Sequence, residues 1–237
     1  MTTLCRRIGW IGLLLSVAQA AAATESPAIH ASMQRDIVLV RHGHYAPDPA
    51  ADPELGPGLS TLGIAQAELL GSQLAIMPRF DAMLVSPMQR AQDTASVLAQ
   101  SLDQMPRERI AALAECTPPS RDPHATEGVS EVEQQACAQR LDALFAEHFI
   151  PAKGAPRREL IVAHGNVIRY LLMRALAADP KTWLLWSVGH TSLSTIRIEA
   201  DGRMRVLGAG DRGHLPARLQ TGAAGDADYE LRLPTAK

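Results

Sequence analysis

The apolar positions of the chain follow two rhythms. Three short runs, 37–40 ("IVLV"), 82–85 ("AMLV") and 160–163 ("LIVA"), are apolar at every position. Runs of this length without polar alternation predict strands covered on both faces, as in a parallel sheet between helices. Each is followed by the second rhythm, an apolar stripe at helical spacing. After the first run, Ser60 or Thr61 is placed to cap a stripe through Leu62, Ala65, Leu69 and Leu70. After the second, Ser86 and Pro87 read as an N-cap with proline at the first helical position. A long amphipathic stripe covers 129–149, and a further helix, 167–177, follows the third run. The segment "RIAAL" (109–113) is a fourth candidate strand. Towards the end, "LSTIRIEADGRMRVLG" alternates on either side of Asp201-Gly202, a hairpin signal. "TPPSRDP" (117–123) and "PAKGAPRR" (151–158) read as loops. The predicted fold class is α/β: a three-layer αβα sandwich around a mostly parallel mixed sheet.

Composition narrows the function more than the fold. The chain has 237 residues, 46% hydrophobic and 20% charged, enough for one large domain or two small ones. A net charge of −2, no run of Lys and Arg, and 4% aromatics exclude a nucleic-acid face and a base-stacking surface. At the start, Arg6 and Arg7 precede a short apolar run, 8–18, and small residues with Ala18 and Ala20 in A-x-A spacing. The apolar stretch is shorter than the ~20 residues that span a bilayer. The expectation is a cleavable signal peptide over 1–23, a short segment 24–35, a catalytic domain 36–218 and a loosely held tail 219–237. That reading implies a periplasmic or secreted protein with no stable membrane association after cleavage; the alternative is an uncleaved anchor helix. Beyond the leader the cysteines are Cys116 and Cys137. They could pair in an oxidising compartment. Cys137 also shares a helical stripe with Leu141, Leu144 and Phe145, and the favoured expectation is an unpaired core residue.

The chemistry lies where the apolar runs end. The first ends on Arg41, His42, Gly43 and His44; the second is followed by Arg90, the third by His164 and Asn166. Ligands of open α/β sheets bind beyond the carboxyl ends of the strands, so Arg41, His42, Arg90 and His164 converge in one crevice. Cationic groups gathered there, with helix N-termini alongside, await an anion. Two guanidinium forks suit the oxygens of a phosphoryl group in transfer. His42 is then a nucleophile, Arg41, Arg90 and His164 form the phosphate pocket, and Glu115 is the proton donor and acceptor. This chemistry calls for no metal and no cofactor.

Taken together, "LVRHG", "SPMQRAQDTA", "LAE" and "VAHGNVIRYL" resemble, in order and spacing, the histidine phosphatase superfamily with its phosphoglycerate-mutase-like fold. "HGNVIRYLLMRAL", the Trp183 region and "GAGDRGHLP" resemble its mitochondrial serine/threonine protein phosphatase branch. The resemblance covers about 37–216 and implies the same roles for His42, Arg41, Arg90, His164 and Glu115. It places His190 and Ser192 on a loop near the site; with His44 and Asn166 they are candidates to support the catalytic residues or to contact substrate. His44 stands where relatives often carry Glu or Gln, and His190 where Asn is common. The short interval from Glu115 to His164 favours hydrolysis over mutase activity. The expected partner is a phosphorylated protein, on serine, threonine or histidine, or a small phosphomonoester; sugar and lipid-linked phosphates are the alternative, and a homo-oligomer is allowed. A metal-dependent hydrolase built on His42, His44, His164 and Asp48, and a non-catalytic phospho-ligand binder, are the other classes weighed. Two arginines beside a cation oppose the first; a complete nucleophile and acid oppose the second.

Overall fold

The computed structural model describes residues 33–222. The apolar runs are strands: β1 (Arg35–Arg41), β2 (Ala82–Val85) and β4 (Arg157–Ala163), with a short β3 (Arg107–Arg109) and the hairpin β5 (Leu193–Ile198) and β6 (Met204–Asp211). They form one six-stranded sheet in the order β3-β2-β4-β1-β5-β6. β1, β2, β3 and β4 run parallel; β5 runs antiparallel to β1, and β6 to β5. Helix α1 (Thr61–Ala75) follows β1, α2 (Gln89–Leu98) follows β2, α3 (Glu131–His148) precedes β4 and α4 (Gly165–Ala175) follows it.

The continuous apolar runs are explained by two cores, one on each face. Ile37, Leu39, Ile161 and Ala163 pack with Leu141, Leu144, Ile168 and Leu171 of α3 and α4. Val38, Val40, Leu160 and Val162 point the other way, against Leu70 and Leu74 of α1 and Ala91, Ala95 and Leu98 of α2. Alternate residues of one strand thus serve opposite layers. Caps set the helix starts: Ser60 Oγ accepts from Gly63 N–H, and Ser130 with Glu133 forms a capping box. Gly202, at φ +83°, makes the predicted hairpin turn.

Several local expectations fail, each for a physical reason. The strand near "RIAAL" lies earlier, at Arg107–Arg109, and Ala111–Leu113 is a 3-10 turn that buries Leu113. β4 begins at Arg157, inside the predicted loop, because Arg35 and Asp36 of β1 pair with Arg157 and Arg158. Ser86 is not an N-cap: α2 starts at Gln89 with Met88 before it, and the Ser86 hydroxyl is bonded to a buried imidazole instead. Cys116 and Cys137 form a disulfide, with Cα atoms 5.8 Å apart. The helical-stripe reading of Cys137 holds as well, since it is buried beside Leu141 and Leu144; burial and pairing are compatible. The tail does not loosen at 219, because Thr221 is 3% exposed and residues 219–222 are tied into the site. Residues 1–32 and 223–237, including the leader expectation, lie outside the described part. Among the described residues no helix is long and apolar enough to cross a membrane.

Candidate active site

The carboxyl ends of β1 and β4 deliver His42 and His164 side by side, with ring centroids 5.0 Å apart. Behind His42 the chain needs a glycine: a Cβ on Gly43 would lie 2.6 Å from the Gly63 carbonyl oxygen at the start of α1. That close approach lets His44 N–H reach Gln66 Oε1 (2.8 Å) and pins the loop. His42 Nδ1 is 2.8 Å from the Gly43 carbonyl. A carbonyl only accepts, so Nδ1 carries the proton and Nε2 presents its lone pair. Arg90 Nε–H points at that lone pair from 3.2 Å. Burial first, then His164 and the two arginines, holds the His42 imidazole well below the usual histidine range. His42 is therefore neutral.

His164 is fully buried. Its Nε2 lies 2.6 Å from Ser86 Oγ, which accepts from Met88 N–H. The Ser86 hydrogen is then free to donate to Nε2, leaving the His164 proton on Nδ1. Nδ1 has no hydrogen-bond partner and stands 3.6 Å from Glu115 Oε2. Burial, then Arg90 and Arg41, lowers this imidazole too. His164 can donate a hydrogen bond without being protonated.

Arg41 is held by carbonyls: its Nη1 donates to Val188 (2.6 Å) and Gly222 (2.9 Å). Its Nη2 is 3.3 Å from His190 Nε2. Burial lowers its pKa to about 10 despite Glu115, so it remains a cation. Arg90 stands over the Tyr45 ring, 4.9 Å from the centroid. Burial raises the Glu115 carboxyl, with Arg41 and Arg90 opposing. Glu115 Oε1 and Arg41 Nε, like His164 Nδ1, are buried without a partner.

The secondary candidates divide. His190 is buried in the site, with Nδ1 2.8 Å from Thr221 Oγ1, and its pKa falls to about 2, chiefly through burial and then Arg41. Thr191, at φ +52°, turns the chain between His190 and Ser192. Ser192 Oγ is buried and unpartnered. Asn166 Nδ2 donates to the Cys116 carbonyl (3.4 Å), supporting the Glu115 loop. His44 lies beside His190, with ring centroids 5.5 Å apart, and its Nδ1 is 2.8 Å from Ser60 Oγ. Tyr45, Ser86, Gln66, Thr221 and Gly222 were not anticipated. Gln66 Nε2 donates to Leu219 O and Thr221 Oγ1, so one buried amide ties the His44 loop to the segment 219–221. Tyr45 directly follows the histidine cluster and Ser86 opens the motif "SPMQRAQDTA"; Gln66, Thr221 and Gly222 lie in no motif that spacing could expose.

His42, Glu115 and His164 offer ligand atoms within 4.8 Å of one another, a spacing that could hold a divalent ion. The Arg41 and Arg90 guanidinium groups abut the same space and oppose a cation there. The set weighed earlier does not assemble: Asp48 is exposed and accepts from Ala50 N–H in its own turn.

Residues 37–118 and 117–210 match the histidine phosphatase superfamily (branch 1). The chain belongs to that superfamily. It is 37% identical over 192 residues to the Caenorhabditis elegans "Serine/threonine-protein phosphatase Pgam5, mitochondrial", covering 78% of this chain and 66% of that protein. The Drosophila erecta protein of the same name is 33% identical over 199 residues, covering 81% and 68%. The chain thus spans about two thirds of the length of these relatives. The fold is that of a putative alpha-ribazole-5'-P phosphatase from Escherichia coli, with a TM-score of 0.59 at 21% identity over 76% of this chain and 97% of that one. The relatives correct the expected location. Those named are mitochondrial, not exported, which overturns the periplasmic or secreted assignment and the signal-peptide reading. A basic, acid-free start rich in small residues is shared by signal and transit peptides, so these features alone do not separate them.

Proposed function

We propose that this histidine phosphatase hydrolyses phosphomonoesters through a phosphohistidine on His42, with phosphoprotein side chains as its substrate class. The observation that carries the reading is the neutral His42 Nε2, with Arg90 Nε at 3.2 Å and the His164 ring centroid 5.0 Å from that of His42.

Nε2 attacks phosphorus as the ester P–O bond breaks. Arg41, Arg90 and the His164 Nδ1–H take the charge spread over the equatorial oxygens. Glu115, whose carboxyl burial raises above the usual carboxylate range, gives its proton to the departing oxygen. The resulting carboxylate then takes a proton from water, whose oxygen attacks phosphorus and frees Nε2. Burial favours the neutral form at both groups, as nucleophile at His42 and as acid at Glu115.

The names of the relatives support a phosphorylated serine or threonine as substrate. The test is a panel of phosphoserine and phosphothreonine peptides, sugar phosphates and phosphorylated lipid head groups. Phosphopeptides should show the highest kcat/KM; a sugar or lipid phosphate turned over faster would replace the substrate assignment.

A further inference from the structure

Glu115 sits on no regular element. It follows the turn Ala111–Leu113 and precedes a loop that runs to the next turn at Pro123–Thr126. Its neighbours are what hold it. Arg140 Nη2 donates to the Ala114 carbonyl (2.7 Å). Asn166 Nδ2 donates to the Cys116 carbonyl (3.4 Å). Cys116 itself is bonded to Cys137. Arg140 and Cys137 lie three residues apart on α3, and Cys137 is 4% exposed among Leu141 and Leu144. The residue next to the acid is thus covalently attached to a helix that is packed into the core.

We infer that Cys116–Cys137 is a positioning pair for Glu115, so that reducing this bond impairs proton donation to the leaving group and spares phosphate binding. The inference rests on Glu115 being the acid. The phosphate pocket is built from the ends of β1 and β4 and the first turn of α2, whereas the disulfide joins the Glu115 loop to α3. Without the bond, the Glu115 loop keeps the hydrogen bonds at the Ala114 and Cys116 carbonyls, the second of them long, a weak Glu115 N–H bond to Met88 Sδ (3.4 Å) and, farther along, the Trp183 Nε1 bond to the Pro119 carbonyl (3.2 Å). A displacement of about 1 Å in a reacting group can cost as much as 10²-fold in rate. Reduction by a dithiol proceeds through a mixed disulfide. Two electrons and two protons pass to Cys116 and Cys137, and the reductant leaves as its cyclic disulfide.

The readout that separates positioning from general support is dependence on the leaving group. An aryl phosphate departs as a stable anion and needs little protonation; an alkyl phosphate departs as a basic alkoxide and needs the acid. Single-turnover phosphorylation of His42 would be measured with phosphoserine peptide and p-nitrophenyl phosphate. The arms are oxidised protein, dithiothreitol-reduced protein with its thiols titrated, reoxidised protein, and the double variant Cys116→Ser, Cys137→Ala. Loss of the bond should slow the alkyl ester by on the order of ten-fold while the aryl ester stays within about two-fold. Reoxidation should restore the wild-type rate, and in Glu115→Gln reduction should add nothing. Equal slowing of both esters would show that the bond holds the fold and not the acid, and would overturn the inference. So would an unchanged alkyl-to-aryl ratio in fully reduced protein. If Glu115→Gln treats the two esters alike while His42 is still labelled, the acid assignment fails and the inference with it. Absence of any label on His42 would instead remove the phosphatase reading itself.

Discussion

The two ends of strands β1 and β4 treat charge in opposite ways. At the amino end, Asp36 accepts from Arg197 Nε (2.8 Å) and Nη2 (3.0 Å), with Arg158 3.9 Å away. Glu159 there is 3.2 Å from both Arg35 and Arg157. Both carboxylates are buried, and both are compensated. At the carboxyl end, about 20 Å along the same strands at the usual rise of roughly 3.3 Å per residue, Arg41 and Arg90 are buried with three imidazoles. Arg41 there leans on backbone carbonyls. Glu115 is its one carboxyl neighbour among the causes of its pKa shift, and that group's own pKa is raised. One end uses charge to hold the strands together. The other withholds compensation, at a cost in stability, so that an anion can supply it.

The largest way to break this contrast is Arg90→Met, which keeps the aliphatic stem and removes the fork. Steady-state kinetics should show kcat/KM falling by about 10²–10³-fold, the usual cost of losing one preorganised donor. The melting temperature should hold or rise, because an uncompensated cation leaves. A drop of several degrees would mean Arg90 is part of the scaffold and not of the stored charge.

Acid sharpens the comparison. His42, His164 and His190 are held neutral when folded, His190 down to about 2, against 6.5 in the unfolded chain. Below pH 6.5 the unfolded state binds protons that the folded state refuses. Stability is therefore complete above pH 6.5 and declines as pH falls, by about 1.4 kcal/mol per pH unit for each imidazole until its folded pKa is reached. Denaturant melts from pH 7 to 4.5 should show this slope, and saturating inorganic phosphate should flatten it by favouring protonated rings. A slope unaffected by phosphate would place the titrating groups elsewhere.

The smallest effect belongs to the amino end. Asp36→Asn removes the carboxylate to which Arg197 donates and should lower stability by roughly 1–3 kcal/mol, with kcat/KM of the folded enzyme unchanged. A fall in kcat/KM to match would show that the two ends are coupled through the strands.

The contrast also marks what could be read from the chain. The apolar runs and the clusters that end them are contiguous, so β1, β2, β4 and the convergence of Arg41, His42, Arg90 and His164 were legible. Glu115 was legible through its short motif, although its strand was misplaced, since a three-residue strand of charged residues, "RER", leaves no apolar run. Ser86 has the sequence signature of a cap; only the fold shows that His164, 78 residues away, takes its hydroxyl. Thr221 and Gly222 lie within the stretch, 219–237, that reads as a tail. Their link to His190 and Arg41 depends on where the chain passes after β6. The disulfide was undervalued because a helical stripe accounts for Cys137 by itself.

The measurement closest to the central claim is covalent capture. The wild-type protein would be mixed with a radiolabelled phosphoserine peptide, quenched during turnover, and the label mapped. The account predicts a phosphoryl group on His42 that acid removes and alkali does not, absent from His42→Ala together with the activity. A label that persists in His42→Ala, or turnover that continues without one, would contradict it.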